Sequence, residues 1–288
     1  MASERTPTAR RRIDFATLLG LVVAAGGIIG GLVLEGGRLT DIAQYTAALI
    51  VGAGTAGAVM VTTPSALIGA ALRRLKDVVW EASATRGALI AQLLQFARQA
   101  RRSGIVSLEE QAGAIEGNPF LKKALMLAVD GTDLQDLRRI MELEIEAASR
   151  RGEAEAKVFE TAGGYAPTIG IIGAVLGLIQ VMKHLEDIER VGHGIAVAFV
   201  ATVYGVALAN LVLLPAGAKI KARVELVVED MELILEGVIG IAEGMNPQLL
   251  ETKLGAFLDE PEAAVNSDNP RAAARSTENV PLPQQGPS

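Results

Sequence analysis

Gly164-Tyr-Ala-Pro-Thr-Ile-Gly-Ile-Ile-Gly-Ala-Val-Leu-Gly-Leu-Ile179 and Gly194-Ile-Ala-Val-Ala-Phe-Val-Ala-Thr-Val-Tyr-Gly-Val-Ala-Leu-Ala-Asn-Leu-Val-Leu-Leu-Pro215 are two apolar runs separated by a short charged loop. Each carries a proline and a few small polar groups, and neither carries a charge. A bilayer core of about 30 Å needs roughly 20 apolar helical residues, so the pair reads as a transmembrane hairpin. Pro167, Thr202 and Pro215 are the residues that a simple membrane anchor does not require. A proline frees a carbonyl and bends a helix, which lipid tolerates only where a neighbour or water satisfies the freed group. Thr202 brings a hydroxyl to mid-helix, free to meet water or to bond back to its own turn. Both prolines also lie near helix ends, so helix punctuation accounts for them as well as an ion path does.

Two further runs lie upstream. Phe15 to Leu34 is uncharged, and so is Ile42 to Leu72, which is longer than a membrane needs. Arg10, Arg11 and Arg12 precede the first run; Arg73, Arg74 and Lys76 follow the second; Lys219, Lys221 and Arg223 follow the fourth. The short loops at 35–41 and 183–190 lean acidic. By the positive-inside rule, both termini and the large middle segment are cytoplasmic. Both hairpins then start from the same side, against an inverted-repeat transporter. The first run has a basic flank like a signal peptide, but its length and the second run close behind it favour a retained helix.

Composition agrees with a membrane helical protein. Half of the 288 residues are apolar, only 3% are aromatic, and 31 are glycine. Small residues let helices approach closely in lipid. Gly26, Gly27, Gly30 and Gly31 on the first helix, and Gly52, Gly54 and Gly57 on the second, form small-xxx-small patterns; close packing and the ordinary abundance of glycine in membrane helices both explain them. No cysteine is present, which excludes disulfides and thiolate metal sites, and the net charge of −6 speaks against a nucleic-acid partner. There is no nucleophile constellation, phosphate loop or metal cluster, so neither an enzyme nor a cofactor is expected.

The expected fold class is an all-α membrane protein with four transmembrane helices, a large helical cytoplasmic segment between helices 2 and 3, and a long helix extending from helix 4. Its parts are a cytoplasmic N-terminus at 1–14 and a first hairpin at 15–72, with helices at about 15–34 and 42–68. A cytoplasmic helical domain at 73–160 follows, then a second hairpin at 161–218 with helices at about 165–183 and 194–216. Cytoplasmic helices at 219–258 and a disordered tail at 259–288 complete it. Within the middle segment, Lys76 to Arg102 reads as one amphipathic helix. Ser107 is placed to cap a short helix through Glu110, Asn118-Pro119 to start another, and Thr132 with Gln135 to open a long one. The charges at Glu142, Glu144, Glu146, Arg150 and Arg151 read as a solvated face with i,i+4 pairs. Trp80 reads equally as an interfacial anchor or as a packing residue. Gly244 is a C-cap, and Asn246-Pro247 restarts a short helix.

No Asp, Glu, Lys or Arg lies inside any of the four runs. Charges within a membrane usually mark ion sites. Either this protein moves no ion, or a partner supplies the titratable group. Tyr204 and Asn210 read as interhelical hydrogen-bonding groups.

Residues 165–178 and 194–210 resemble the third and fourth transmembrane helices of MotA-type flagellar stator proteins, in the MotA/TolQ/ExbB superfamily, and the order of hairpin, cytoplasmic segment, hairpin and tail resembles theirs too. The resemblance implies a multi-pass protein of the bacterial inner membrane that forms a ring, understood as five, around a MotB-type single-span subunit. That partner supplies the membrane aspartate, and the ring turns against the rotor protein FliG in motility and chemotaxis. Pro167, Thr202 and Pro215 match the family's ion-path positions. Sodium-driven relatives carry a second threonine seven residues after the third-helix proline; Ala174 stands there, which resembles the proton-driven type. A methyl offers no oxygen to a dehydrated sodium ion. Arg101-Arg102-Ser-Gly-Ile-Val-Ser-Leu-Glu109 resembles the torque segment, with Arg101, Arg102 and Glu109 at the rotor interface and Glu144 at a third position. The alternative is an ExbB/TolQ-like proton-channel subunit energising another envelope process. Those relatives have three spans, and the adjacent first hairpin here favours MotA.

Overall fold

The computed structural model describes residues 10–83 and 86–258. In chain order the helices are α1 (Phe15–Leu34), α2 (Leu39–Ile42), α3 (Tyr45–Thr62), α4 (Ser65–Val79), α5 (Arg86–Ser103), α6 (Glu109–Gly113), α7 (Pro119–Val129), α8 (Leu134–Lys183), α9 (Ile188–Ala207), α10 (Leu214–Ala242) and α11 (Pro247–Gly255). Four stretches are long and apolar enough to cross a membrane: α1, α3, the C-terminal part of α8, and the run from α9 into α10. The expected all-α fold holds in part: the described residues are nearly all helical. One departure is a two-stranded antiparallel ribbon, β1 (Arg10–Ile13) against β2 (Trp80–Ser83), with Ile13 opposite Trp80. The single helix expected over 76–102 is therefore broken there, with α4 ending at Val79 and α5 beginning at Arg86.

The uncharged run at 42–72 is not one helix. Pro64 has no N–H to donate and disfavours helical backbone in the residue before it. Thr63 is accordingly extended at φ −129° and ψ 132°, and α3 and α4 meet there. The run at 165–183 shows the opposite outcome. It has no separate start, because α8 continues unbroken from Leu134 through Gly163, Gly164 and Pro167.

Several caps are the expected ones. Asn118 accepts from the Leu121 N–H at 3.0 Å, with Pro119 at the first helical position. Asn246 does the same for Gln248 at 3.0 Å. Gly244 adopts φ +69°, the left-handed conformation that ends a helix. Two others differ. Asp133, not Thr132, accepts from the Gln135 N–H at 2.8 Å. Ser107 lies inside a short 3-10 turn, where its hydroxyl donates to the Gly104 carbonyl at 2.7 Å.

The chain forms two compact units. The first holds residues 10–83 and 146–228. Its packing centres on Val59, Ala71 and Val78 with Phe159, Ala162, Ala216, Ile220 and Val224, and on Ala47 with Val200, Ala201 and Tyr204. An ion pair between Arg74 and Glu155 at 2.7 Å ties α4 to α8. Helix α1 has no buried residue, as suits a helix whose solvent is hydrocarbon.

The second unit holds residues 86–145 and 229–258, and is cored like a water-soluble domain. Leu93, Leu108, Leu121, Leu125, Leu137, Met141, Leu233, Leu250 and Leu254 are fully buried. Gly237 and Gly240 let α10 approach its neighbours. Methyls built on them would lie 2.7 Å from the Leu93 Cδ1 and 2.6 Å from the Leu250 Cδ1. Arg86 is buried to 11% exposure and donates to Asp230 at 2.8 Å, to Glu229, and to the Phe257 carbonyl at 3.2 Å. Glu236 accepts from Arg138 at 2.7 Å and from Lys253. Burial alone would raise the Glu236 carboxyl, but these two cations outweigh it and hold it below its ordinary range.

Candidate functional site

Gly170, Gly177, Gly194 and Gly205 form an interlock between α8 and α9. A methyl built on Gly170 would lie 2.8 Å from the Ala201 carbonyl oxygen and 3.2 Å from the Gly205 Cα. One on Gly205 would lie 2.5 Å from the Ala166 carbonyl oxygen and 3.1 Å from the Gly170 Cα. Gly177 and Gly194 repeat the arrangement, with a methyl on Gly177 2.9 Å from the Gly194 oxygen. These contacts are backbone on backbone, so no side chain can swing aside to relieve them. Helix α3 joins through Gly54, where a methyl would meet Ile169 at 2.7 Å, and through Ile50 against Gly173. Methyls built on the glycines of α1 would meet nothing within 4 Å in this chain, so the small-residue patterns there do not mark the tight contacts. The tight contacts are instead the alternating glycine and alanine positions of the second hairpin, whose small size was the available signal.

Pro167, Thr202 and Ala174 flank this interlock and are all half-buried. Gly170 lies one turn from each of Pro167 and Ala174, and a methyl built on it would lie 3.4 Å from the Thr202 Cα. The Thr202 hydroxyl donates to the Ala198 carbonyl of its own helix at 3.3 Å. This internal bond leaves the oxygen's lone pairs available to water or to an ion. Pro215 is set apart, exposed beyond a π-helical segment at Leu208–Leu213 that separates α9 from α10. A proline cannot donate to the carbonyl four residues back, and such a missing donor commonly coincides with a local change of pitch. Asn210, expected to bond between helices, instead donates to the Val206 carbonyl one turn back at 2.9 Å, within the disturbed segment. Tyr204 does bridge helices: its hydroxyl donates to the Ile42 carbonyl at 2.5 Å and accepts from the Gln44 N–H at 3.4 Å.

The Arg101–Glu109 segment lies in the second unit. Arg101 and Arg102 close α5, Glu109 opens α6, and all three are exposed. Cations at a helix C-terminus and carboxylates at an N-terminus suit the helix dipoles. Gly104 makes the turn between them at φ +80°, a conformation that disfavours side chains. A chain of amides holds that turn. Gln99 donates to the Ser107 carbonyl at 3.0 Å, and Gln111 donates to Gln99 at 2.7 Å. Neither glutamine carries a motif, which is why both escape a reading of the sequence. Glu144 is separate, on α8, and accepts from Lys123 at 2.5 Å. All three charges are exposed, and Glu144, in the same unit, is paired with Lys123.

One strong electrostatic feature lies at the foot of α1. Asp14, only 8% exposed, caps that helix by accepting from the Thr17 N–H at 3.1 Å. It also accepts from Lys219 at 2.5 Å and from Arg223 at 3.2 Å on α10. The Lys219 hydrogen bond is the largest of the effects that hold its carboxyl well below the usual range.

Comparison with known proteins places this geometry in context. Residues 114–233 match the MotA/TolQ/ExbB proton channel family, and residues 18–104 match the motility protein A N-terminal family. Motility protein A of Bacillus subtilis (strain 168) is 35% identical over 247 residues, covering 85% of this chain and 91% of that protein. The structure of C. jejuni MotAB superposes with a TM-score of 0.82 at 37% identity, covering 90% of this chain and 98% of that one. The flagellar MotAB stator complex from Bacillus subtilis gives 0.81 at 34% identity, covering 87% and 98%.

Proposed function

This chain belongs to the MotA/TolQ/ExbB proton channel family as a flagellar motor stator subunit, and we propose that it supplies the carboxylate-free wall of a proton path completed by a MotB-type partner. The observation that carries the reading is the second hairpin. Its two apolar runs, 164–179 and 194–215, carry no charge and are interlocked backbone to backbone, with Pro167 and Ala174 one turn either side of Gly170, whose built methyl would meet Thr202. Such a wall offers an ion hydroxyl and carbonyl oxygens but no titratable group. A single-span partner bringing an aspartate into it meets the need. With a methyl at Ala174, the wall lacks the extra oxygen that would help a dehydrated sodium ion, so the transported ion is a proton.

In this reading the chain forms a ring around its partner in the bacterial inner membrane, with both termini and the second unit in the cytoplasm. A ring of five follows from likeness to the family. Protonation of the partner's aspartate shifts its fit against the Pro167–Thr202 wall, and the ring turns. Arg101, Arg102 and Glu109, held out on the Gly104 turn, meet complementary charges on the rotor protein FliG. Pro215 accommodates the bend where the fourth span leaves the membrane. Glu144 contributes on the same cytoplasmic unit when its Lys123 pair opens.

The test is motility of a deletion strain complemented with this gene. Full rescue without sodium, flagellated but poorly rotating cells with Pro167→Leu, and impairment by reversing Arg101 or Glu109 are the expected results. Sodium-dependent swimming sinks the proton assignment, and normal swimming of Pro167→Leu sinks the assignment of the wall.

A further inference from the structure

The cluster of Asp14, Lys219 and Arg223 is more than helix capping requires. Capping α1 needs only a side-chain acceptor for the Thr17 N–H, and Asn or Ser serves as well as Asp. Here the acceptor is a carboxylate taken almost wholly out of water, and two cations from one face of α10 are directed at one of its oxygens. Lys219 and Arg223 are one turn apart, four and eight residues beyond Pro215. Arg223 is itself only 17% exposed and Lys219 35%, so without the carboxylate two half-desolvated cations would face each other. The pairing joins the N-cap of α1 to α10, more than two hundred residues apart in sequence, just beyond the π segment and Pro215.

We propose that Asp14 is a positioning residue for force transmission. Its clamp fixes α10, just beyond the irregular Leu208–Pro215 segment, to the foot of α1. Movement of the α8–α9 hairpin during ion passage is then carried into α10 instead of being spent in bending at that segment. A π segment followed by proline is where a helix bends most readily. A fixed point immediately beyond it decides whether the two sides move together. The inference rests on the stator reading, because it concerns what the hairpin's movement is passed to.

The experiment uses the full chain with its partner in a strain lacking both. Three quantities are read: torque per stator unit at high load, from the step increments of a tethered bead; proton leak into cells that overproduce the chain with its partner; and the amount of chain in the membrane. Asp14→Asn keeps the cap and removes the charge. The expected result is reduced torque per unit at unchanged leak and unchanged membrane level, with recovery in Asp14→Glu. Lys219→Met with Arg223→Met behaves the same way, and adding Asp14→Asn to that pair brings no further loss, because coupled partners are non-additive. Wild-type torque increments in Asp14→Asn overturn the clamp, and so does a leak that falls in step with torque. If Asp14→Asn lowers the membrane level, the Lys219→Met/Arg223→Met pair decides by the same two readings. A wild-type chain that drives no rotation overturns the stator reading itself, which separates the two failures.

Discussion

Replacing Gly205 with alanine measures the α8–α9 interlock directly. The new methyl would sit 2.5 Å from the Ala166 carbonyl oxygen and 3.1 Å from the Gly170 Cα. Carbon and carbonyl oxygen rest comfortably at about 3.4 Å, so the helices must part by about 1 Å. Neither contact belongs to a side chain that can rotate away. Forcing such overpacking costs about 1–3 kcal/mol. Alanine is also the better helix former, by up to about 1 kcal/mol over glycine, which offsets part of the loss. Gly69→Ala supplies the control, because Gly69 is an exposed position inside α4 with nothing within 4 Å of its built methyl. Propensity cancels between the two variants, and Gly205→Ala should be the less stable by about 1–3 kcal/mol. For a chain of this size each kcal/mol moves the melting temperature by roughly 2–4 °C. Melting of the purified complex in detergent, followed by tryptophan fluorescence and paired with a motility assay, reads this out. Identical melting of the two variants with full motility would refute the backbone-on-backbone interlock.

Tyr204→Phe removes the hydroxyl that bridges Ile42 and Gln44, and should cost about 1 kcal/mol of complex stability by the same melting measurement. Arg86→Ala strips Asp230, Glu229 and the Phe257 carbonyl of their donor; a loss of about 1.5–3 kcal/mol is expected, visible as faster proteolysis after residue 242. Glu236 has a carboxyl held below its ordinary range, so its contribution is present above about pH 4.3 and is lost as the pH falls through the folded value. Acidification from about pH 5 to pH 3 should therefore lower the melting temperature of the wild type more than that of Glu236→Gln, by an amount corresponding to about 1 kcal/mol or less for groups still in contact with water.

How much was legible divides along physical lines. Long uncharged runs mark stretches able to cross a bilayer because a bilayer sets a length: α1 coincides with its run, and the second-hairpin runs fall within the longer helices α8 and α9 into α10. Caps made by Asn-Pro were readable because one side chain and one ring suffice. What could not be read was continuity. A lone Pro64 divides α3 from α4, while Pro167 leaves α8 whole, and no local rule separates the two outcomes. Pairing between distant segments was equally hidden. The ribbon of β1 with β2, the Asp14 clamp and the Gln99–Ser107–Gln111 support of the charged turn depend on tertiary neighbours that periodicity does not encode. In the second hairpin, the polar and proline positions stood out as unusual, but the glycines between its helices did not. Their signal was diluted by equally frequent glycines on α1, where an added methyl would meet nothing within 4 Å in this chain.

The reciprocal fit of Gly170 with Gly205, and of Gly177 with Gly194, has a consequence for exchange between related proteins. Each helix is the mould of the other, so the apolar half of α8 and α9 work as one matched piece. A chimera that takes only α8's apolar half from a distant homologue sets a foreign ridge into a native groove and should fail to assemble. One that takes residues 164–215 together carries mould and cast at once and should remain a working wall. The unit of tolerated substitution in this membrane region is the hairpin, not the helix.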